Sequence, residues 1–144
     1  MDIRLATTDD MPELFEMHRA VFRTHIEQIW GWDEDWQRTN FAAEFASSNT
    51  SVIEIEDRIV GYVQIRDEGH RIYLQNIALS PEFQRRGFGT RLLKRLQRES
   101  SARKVALELA VFRTNPNALK FYERIGFRRT GETSTHIEMS WRGI

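Results

Sequence analysis

Apolar and polar positions alternate along the chain with two periods, one typical of strands and one typical of helices. The largely apolar run Arg71–Leu79 is followed closely by Pro81. A strand is predicted to end there, because proline has no N–H to give to a ladder. Phe88, Leu92 and Leu96 then recur at helical spacing, with basic side chains on the opposite side. This stretch therefore predicts a strand, a short loop and an amphipathic helix in succession.

The same patterns divide the rest of the chain into strands and helices. In chain order we predict a strand at Ile3–Ala6, a helix whose apolar face runs from Met11 to Phe22, a second helix from an Asp33 cap to about Ala46, a hairpin of Ser51–Glu56 and Ile59–Arg66 turning at Asp57-Arg58, the strand Arg71–Leu79, a helix over 87–100, a strand at Val105–Val111, a helix from the Asn115 cap to Gly126, and a hairpin of Phe127–Thr130 and Thr135–Trp141. The order β-α-α-β-β-β-α-β-α-β-β mixes hairpins with helical crossovers. It predicts an α+β fold, a mixed and twisted sheet flanked by helices.

Composition and charge narrow the class of protein. The 144 residues are enough for one domain with a core, and 40% hydrophobic and 29% charged residues are typical of a soluble globular protein. The formal net charge is +0, so we expect neither nucleic acid nor an anionic membrane as a partner.

Cysteine and histidine usage excludes several kinds of site. The chain has no Cys, which removes disulfides, thiolate metal sites and cysteine nucleophiles. The four histidines, at positions 18, 25, 70 and 136, lack the spacing of metal ligands, so no metal is predicted. No apolar run reaches membrane-spanning length and the first residues are not typical of a signal peptide, so we expect a cytoplasmic location.

The loop at residues 84–90 has the composition of an anion site. Gly87 and Gly89 permit backbone angles and a close approach that a side chain would block. Successive N–H groups at the start of a helix point toward one spot, and the helix dipole adds partial positive charge. Arg85 and Arg86 place full charges beside it. The loop therefore favours a phosphate or a pyrophosphate.

Two common phosphate motifs do not fit this loop. A P-loop ends in Gly-Lys-Ser/Thr, but Gly89 is followed by Thr90 without a lysine, and Leu92 stands where a dinucleotide fingerprint needs its third glycine. What remains is Q/R-x-x-G-x-G, filled by Gln84, Gly87 and Gly89. This pattern resembles the acetyl-CoA pyrophosphate loop of the GNAT superfamily of N-acetyltransferases. Taken alone, it also fits a plain strand-to-helix turn on a basic surface.

A second motif agrees with the first. Residues 111–127 resemble the other signature of that superfamily, V-x-x-x-N-x-x-A-x-x-x-Y-x-x-x-G-F. Its fixed positions are filled in register by Val111, Asn115, Ala118, Tyr122, Gly126 and Phe127. With both motifs in the expected order, the chain is identified as a member of the GNAT superfamily, whose fold would cover residues 1–144 as one domain.

The resemblance implies acetyl transfer from acetyl-CoA to an amine, and it assigns cofactor contacts. The thioester arm would lie along the backbone of Ile77, Ala78 and Leu79, where an N–H could also polarise the carbonyl. The pyrophosphate would be held by Gln84, Arg85, Arg86, Gly87, Phe88, Gly89 and Thr90. Asn115 would reach the cofactor arm, although a helix cap explains this residue equally well.

Tyr122 matches the tyrosine that protonates the departing thiolate in the family. A tyrosine with a pKa of about 10 carries its proton at neutral pH, and a thiol with a pKa of about 8.5 is only slightly less basic. The alternative is a core tyrosine, because Tyr122 shares an apolar helical face with Phe121.

The acceptor amine is expected near residues 25–36, which connect the first two predicted helices. Three of the 4 Trp residues lie there among carboxylates, and this combination can hold a cation. The candidate contacts are Glu27, Trp30, Trp32 and Asp33. The alternative is that the aromatics serve as core or dimer contacts while the acids cap a helix. His18, on the first helix, is expected to be packed and hydrogen-bonded.

The general base is not determined by the sequence. Some relatives that acetylate protein N-termini carry a glutamate directly before the second signature, where this chain has Ala110. The candidates are Glu108, Glu27, Asp33, His25 or a water chain.

Two functions follow as hypotheses. The first is an N-acetyltransferase that acts on a small cationic amine or a peptide amine. The second is a module that binds acyl-CoA as a sensor without turnover. The acceptor, and an acetyl rather than a longer acyl donor, stay open. Dimerisation through the final hairpin is common among relatives and is possible here.

Overall fold

The computed structural model describes residues 1–143, and its elements follow the predicted order. They are β1 (Asp2–Leu5), α1 (Met11–Glu27), α2 (Glu34–Ser47), β2 (Asn49–Ile55), β3 (Arg58–Asp67), β4 (Arg71–Leu79), α3 (Phe88–Ala102), β5 (Ala106–Phe112), α4 (Pro116–Arg124), β6 (Arg128–Glu132) and β7 (His136–Trp141), with short 3-10 turns at Thr8–Asp10 and Pro81–Phe83. The β-α-α-β-β-β-α-β-α-β-β order is confirmed.

The seven strands form one sheet in the order β1-β2-β3-β4-β5-β7-β6. Neighbouring strands are antiparallel except β4 and β5, which are parallel because α3 crosses between them. β6 forms one edge of the sheet, and all its residues are exposed. The proposed dimer contact at this hairpin stays a prediction.

Each face of the sheet carries its own apolar cluster. On one face α3 and α4 pack against the sheet through residues such as Leu93 and Tyr122. On the other face α1 and α2 cover it through Leu14, Phe15 and Phe41. The amphipathic faces read from the sequence therefore correspond to the two layers of helices that enclose the sheet.

The turn of the first hairpin differs from its prediction. The pair Ile55 and Arg58 closes the ladder, so the two-residue loop is Glu56-Asp57 and not Asp57-Arg58. Both loop residues are left-handed, with φ of 52° and 63°. A left-handed loop of two residues matches the twist of the strands. A glutamate seldom adopts this conformation, so the sequence did not indicate a turn at Glu56.

Two irregularities shape the middle of the sheet. Gly61 marks both a bulge and a close approach: the register shifts between Ile53 and Glu54 opposite it, and a Cβ added at Gly61 would lie 2.5 Å from the carbonyl oxygen of Ala78. A second bulge makes Gln75 the extra residue of β4, because Gln64 pairs with Asn76 while Ile65 pairs with Leu74. The second bulge lies where β4 leaves β5.

His18 is packed and hydrogen-bonded, as predicted. Its Nε2 lies 3.0 Å from Gln37 Oε1 and its Nδ1 lies 3.5 Å from the hydroxyl of Tyr62. Phe41 lies 5.4 Å away, between ring centroids. Burial lowers the pKa of His18, so the neutral ring is favoured.

Two kinds of feature are absent from residues 1–143. No helix there is both long and apolar enough to cross a membrane. No group of three or more potential metal-ligating side chains comes together in that part of the chain.

Candidate active site

A cleft opens where the two parallel strands separate. β4 and β5 are paired from Arg71 and Ala106 to Leu74 and Leu109, and the pairing stops there. The Gln75 bulge follows at once, because the extra residue bends β4 away from its neighbour. The cleft between the strands has a volume of about 1360 Å³, and helices α1, α2, α3 and α4 all contribute to its walls.

The end of β4 turns backbone groups toward this cleft. Ser80 N–H donates to Val60 O at 2.8 Å, which fixes the alternation of hydrogen-bonded pairs along the β3–β4 ladder. The N–H and C=O of Ile77 and Leu79 therefore point away from β3. Gln84 Nε2 donates to Leu79 O at 2.9 Å, in agreement with this orientation. The N–H groups of Ile77 and Leu79 remain directed toward the cleft.

The loop after β4 forms the adjoining wall. Arg85 and Gly87 are left-handed, with φ of 60° and 87°, and α3 begins directly after them. No side chain within residues 1–143 caps the N-terminus of α3. Its first N–H groups are therefore available to an anion, and the helix dipole adds to their attraction. Gly89 and Thr90 line the cleft beside them.

Tyr122 and Asn115 come to the same cleft from α4 and its cap. Tyr122 is 8% exposed, and its ring packs edge-on against Phe121 and Phe127. Burial raises its pKa well above the usual value, so the hydroxyl keeps its proton at neutral pH. Asn115 Oδ1 accepts from Ala118 N at 3.2 Å, which makes it the predicted cap. This cap uses the oxygen, and the side-chain N–H groups remain for a ligand.

The opposite wall comes from α1, α2, the end of β5 and the start of β7. It consists of Val21, Phe22, His25, Glu44, Phe112 and His136. His25 Nδ1 lies 3.0 Å from Thr114 O, and Thr114 Oγ1 donates back to His25 O at 3.0 Å. Because a carbonyl oxygen can only accept, Nδ1 carries the hydrogen, and in the neutral ring Nε2 holds the lone pair.

The sequence pattern of the acetyltransferase (GNAT) family matches residues 11–127. The chain belongs to the GNAT family. Both motifs, at residues 84–89 and 111–127, lie within the matched range. The resemblance inferred from them is therefore confirmed.

Curated relatives include GNAT enzymes with named activities. The chain is 30% identical over 126 residues to the ribosomal protein bS18-alanine N-acetyltransferase of Salmonella typhimurium, covering 87% of this chain and 79% of that protein. It is 31% identical over 119 residues to the N-alpha-acetyltransferase RimI of Mycobacterium tuberculosis, covering 78% and 74%. It also matches an uncharacterised Mycobacterium leprae protein at 30% identity over 110 residues, which is 72% of this chain and 30% of the length of that protein.

Solved structures agree on the GNAT fold. The PaiA N-acetyltransferase of Thermoplasma acidophilum, crystallised with coenzyme A, superimposes with a TM-score of 0.79 at 16% identity over 99% of this chain and 100% of that one. The fold prediction is confirmed. At the level of reaction class, the prediction of an acetyl-CoA-dependent N-acetyltransferase is confirmed as well.

Most of the predicted cofactor residues line the GNAT cleft, and three do not. Those in the lining are Ile77, Leu79, Gln84, Arg85, Gly87, Gly89, Thr90 and Asn115. Ala78 packs on the opposite face of the sheet, against the α1–α2 cluster. The Arg86 guanidinium lies over the rings of Phe83 and Phe88, 5.2 and 5.7 Å from their centroids. Arg86 and Phe88 therefore pack against each other outside the lining of the cleft, and their positions do not support the predicted cofactor contact.

The predicted acceptor residues lie outside the lining of the GNAT cleft. Glu27 pairs with Arg23 at 2.6 Å on the exposed side of α1. Asp33 caps α2 by accepting from Trp36 N at 3.1 Å. Trp32 packs beside the α1–α2 cluster. Trp30 is 61% exposed and lies 6.2 Å from the ring of Phe112, between centroids. Trp30 thus lies beside the wall of the cleft.

The candidates for the general base separate in the same way. Glu108 accepts from Arg71 Nη1 at 3.0 Å and does not line the cleft. Glu27 and Asp33 have the partners described above. Of the four named side chains, His25 alone lines the cleft.

Sequence reasoning missed several polar residues of the cleft, and two of them contact each other. Glu44 lines the cleft from α2, and Asn76 lines it from β4 just after the bulge. The Asn76 amide donates to Glu44 Oε2 at 2.7 Å. One signal was available: Glu44 falls on the same helical stripe as Phe41 and Phe45, where a charged residue is unusual.

Proposed function

We propose that the protein transfers the acetyl group of acetyl-CoA to a primary amine by direct attack in a ternary complex. A single observation supports this proposal: one continuous cleft joins the glycine loop, the free backbone of β4, the Tyr122 side chain and the wall built by α1 and α2. A cofactor and an acceptor can therefore meet at the point where β4 and β5 separate.

The chain offers a group for each step of the reaction. The N–H groups at the start of α3 would bind the pyrophosphate, with Arg85 beside them. The acetyl-bearing arm would lie along β4, where the N–H of Ile77 or Leu79 donates to the carbonyl oxygen as it gains negative charge. The amine lone pair forms the C–N bond, and the C–S bond breaks. No covalent enzyme intermediate is required.

Tyr122 would donate its hydroxyl hydrogen to the departing sulfur. Burial raises its pKa, which keeps the proton in place until it is needed. The same burial makes complete proton transfer to a thiolate of pKa about 8.5 less favourable. We therefore assign Tyr122 a hydrogen bond to the sulfur that becomes proton transfer as negative charge develops there.

The acceptor class is a primary amine that arrives as an ammonium ion. The Salmonella relative is named for acetylation of an alanine of ribosomal protein bS18, and the Mycobacterium tuberculosis relative is named as an N-alpha-acetyltransferase. These names favour the α-amine of a peptide over a polyamine as the first acceptor to test. Ala110 stands where some relatives that acetylate protein N-termini carry a glutamate, so any base must come from elsewhere in the cleft.

The proposal is tested by ligand-dependent melting followed by turnover. Acetyl-CoA and CoA are expected to raise the melting temperature, because both bind the folded state. Thiol release from acetyl-CoA is then followed with an alanine-initiated hexapeptide, Nα-acetyl-lysine amide and spermidine. Amine-dependent release supports the enzyme and ranks the acceptors. Stabilisation by acetyl-CoA without release on any amine would support the sensor, and no stabilisation at millimolar acetyl-CoA would contradict both.

A further inference from the structure

Glu44 differs from every other carboxylate in the part of the chain that the structure describes. It is partly buried and forms no salt bridge within residues 1–143. The other side-chain carboxylates of that range either pair with an arginine or are exposed. Burying part of a carboxylate without a cation is costly, so a cationic ligand beside Glu44 would be stabilised.

The carboxylate is held firmly by neutral donors. Asn40 Nδ2 donates to Glu44 Oε1 at 2.7 Å, and Asn76 Nδ2 donates to Oε2 at 2.7 Å. Asn76 is in turn fixed by Gln64 Oε1 at 2.8 Å, and Gln64 is completely buried. These amides orient the carboxylate without neutralising it. Each carboxylate oxygen keeps acceptor capacity for a further donor.

The location of Glu44 suits an acceptor amine. Its partner Asn76 directly precedes Ile77, whose backbone faces the cleft at the position proposed for the thioester. The lining cations, Arg85, Lys120 and Arg124, come from the glycine loop and α4, on the cofactor side. Glu123 of α4 also lines the cleft on that side, but it pairs with Arg129 at 3.5 Å. Glu44 is thus the lining carboxylate within residues 1–143 that has no arginine partner, and it lies on the opposite wall.

We propose that Glu44 binds the acceptor ammonium and takes its proton, an inference that rests on the proposed function. Glu44 removes one proton from the ammonium, and the freed lone pair forms the C–N bond while the C–S bond breaks. Tyr122 gives its hydroxyl proton to the departing sulfur, and the second proton lost by the nitrogen restores that hydroxyl by way of water. Glu44 returns its own proton to water. The acceptor class is accordingly a cationic primary amine, and His25 is not the base.

The test compares Glu44→Gln with wild type on two kinds of nucleophile. The best amine of the panel is protonated at neutral pH, whereas hydroxylamine is uncharged there and needs no deprotonation before attack. Glu44→Gln is expected to lower kcat/KM for the amine by about 100-fold and to change the hydroxylamine rate by less than about 3-fold. Glu99→Gln, which removes an exposed acid from α3, is the matched control and is expected to alter neither rate. His25→Gln is expected to lose much less than Glu44→Gln.

The results distinguish a failure of the role proposed for Glu44 from a failure of the proposed acetyltransferase function. An unchanged amine rate in Glu44→Gln, or an equal loss with both nucleophiles, would overturn the role of Glu44 while leaving the enzyme intact. Absence of amine-dependent release in wild type would instead remove the proposed function.

If CoA does not raise the melting temperature of Glu44→Gln, that variant is not properly folded, and the role of Glu44 is tested on the wild-type protein instead. The trimethylammonium derivative of the best amine is then expected to inhibit competitively against the amine, and its uncharged tert-butyl isostere is not. Equal inhibition by both would overturn the proposal.

Discussion

Gln84 Nε2 donates a 2.9 Å hydrogen bond to the carbonyl oxygen of Leu79, and this contact joins the two parts of the proposed cofactor site. Leu79 ends β4, where the acetyl-bearing arm would lie, and Gln84 begins the glycine loop, where the pyrophosphate would bind. The bond satisfies a carbonyl that has no partner in β3. It therefore holds the loop against the strand before any ligand arrives.

Gln84→Ala is expected to weaken CoA binding by about 2- to 10-fold, because a side-chain hydrogen bond of this kind contributes about 0.5–1.5 kcal/mol. The loop would lose its attachment to β4, and the cofactor would have to order it. Calorimetric titration with CoA measures the effect. Gln28→Ala, at an exposed position after α1, is the control. Equal affinities for the two variants would show that the bond does not organise the loop.

Gly61 and Gly89 are expected to respond to alanine in opposite ways. A Cβ at Gly61 would lie 2.5 Å from Ala78 O, so Gly61→Ala should lower the free energy of unfolding by about 1–3 kcal/mol. A Cβ at Gly89 would meet Phe121 Cζ at an ordinary 3.5 Å, and alanine is the better helix former by about 0.5–1 kcal/mol. Gly89→Ala should therefore keep or raise the stability of the free protein.

The cost of Gly89→Ala is expected in cofactor binding. The added methyl group would occupy the space through which a pyrophosphate approaches the first N–H groups of α3. Urea unfolding without ligand, followed by CoA titration, separates the two effects. A Gly89→Ala protein that binds CoA as well as wild type would place the pyrophosphate elsewhere.

Tyr122→Phe is expected to reduce kcat by about 100-fold with little change in CoA affinity, because the hydroxyl acts on the departing sulfur and the ring is retained. The buried ring packs against Phe121 and Phe127, and Phe127 does not line the cleft, so Phe127→Leu serves as a control for packing alone. Steady-state thiol release and CoA-induced melting shifts give the two readouts. A Tyr122→Phe enzyme with wild-type kcat would assign the proton to another donor.

The fold and the cofactor side of the cleft were predictable because their signals are local in sequence. The bounds of β4 were predicted without error, and the Asn115 cap followed from an asparagine placed directly before a proline. The glycine-loop motif consists of six consecutive residues, 84–89. Such features depend on backbone preferences within one turn or one strand, and a single sequence displays them.

The acceptor side was not predictable in the same way. The Glu44–Asn76 contact joins residues 32 positions apart, and it depends on how α2 packs against β4 after the Gln75 bulge. Local composition around the Trp cluster does not show which side of the connection faces the cleft. Asp33 illustrates the point, since its carboxylate is used as a helix cap. Tertiary packing decides these roles.

His18 is expected to make the protein less stable on mild acidification. Burial lowers its pKa below the ordinary value of 6.5, so the unfolded state binds a proton that the folded state resists. Its contribution is complete above pH 6.5 and is lost as the pH falls from there toward the folded pKa, with a slope of at most about 1.4 kcal/mol per pH unit. Nearby Glu44 opposes this lowering of the pKa, and Arg19 reinforces it.

Urea unfolding between pH 5 and 7.5 tests this expectation for His18, a range chosen because the carboxylates with lowered pKa titrate at still lower pH. His18→Gln keeps a polar group for Gln37 and should flatten the pH dependence of the free energy of unfolding by up to one proton. The pKa of His136 is also lowered by burial, so His136→Gln is the matched variant and should remove a separate part of the slope. We expect the larger flattening in His18→Gln, because the His18 ring is enclosed by Phe41 and Trp32. His136 lies on the wall of the cleft. An unchanged slope in His18→Gln would mean that the buried ring accepts a proton in the folded state, and the hydrogen bond to Gln37 would then have to outweigh burial.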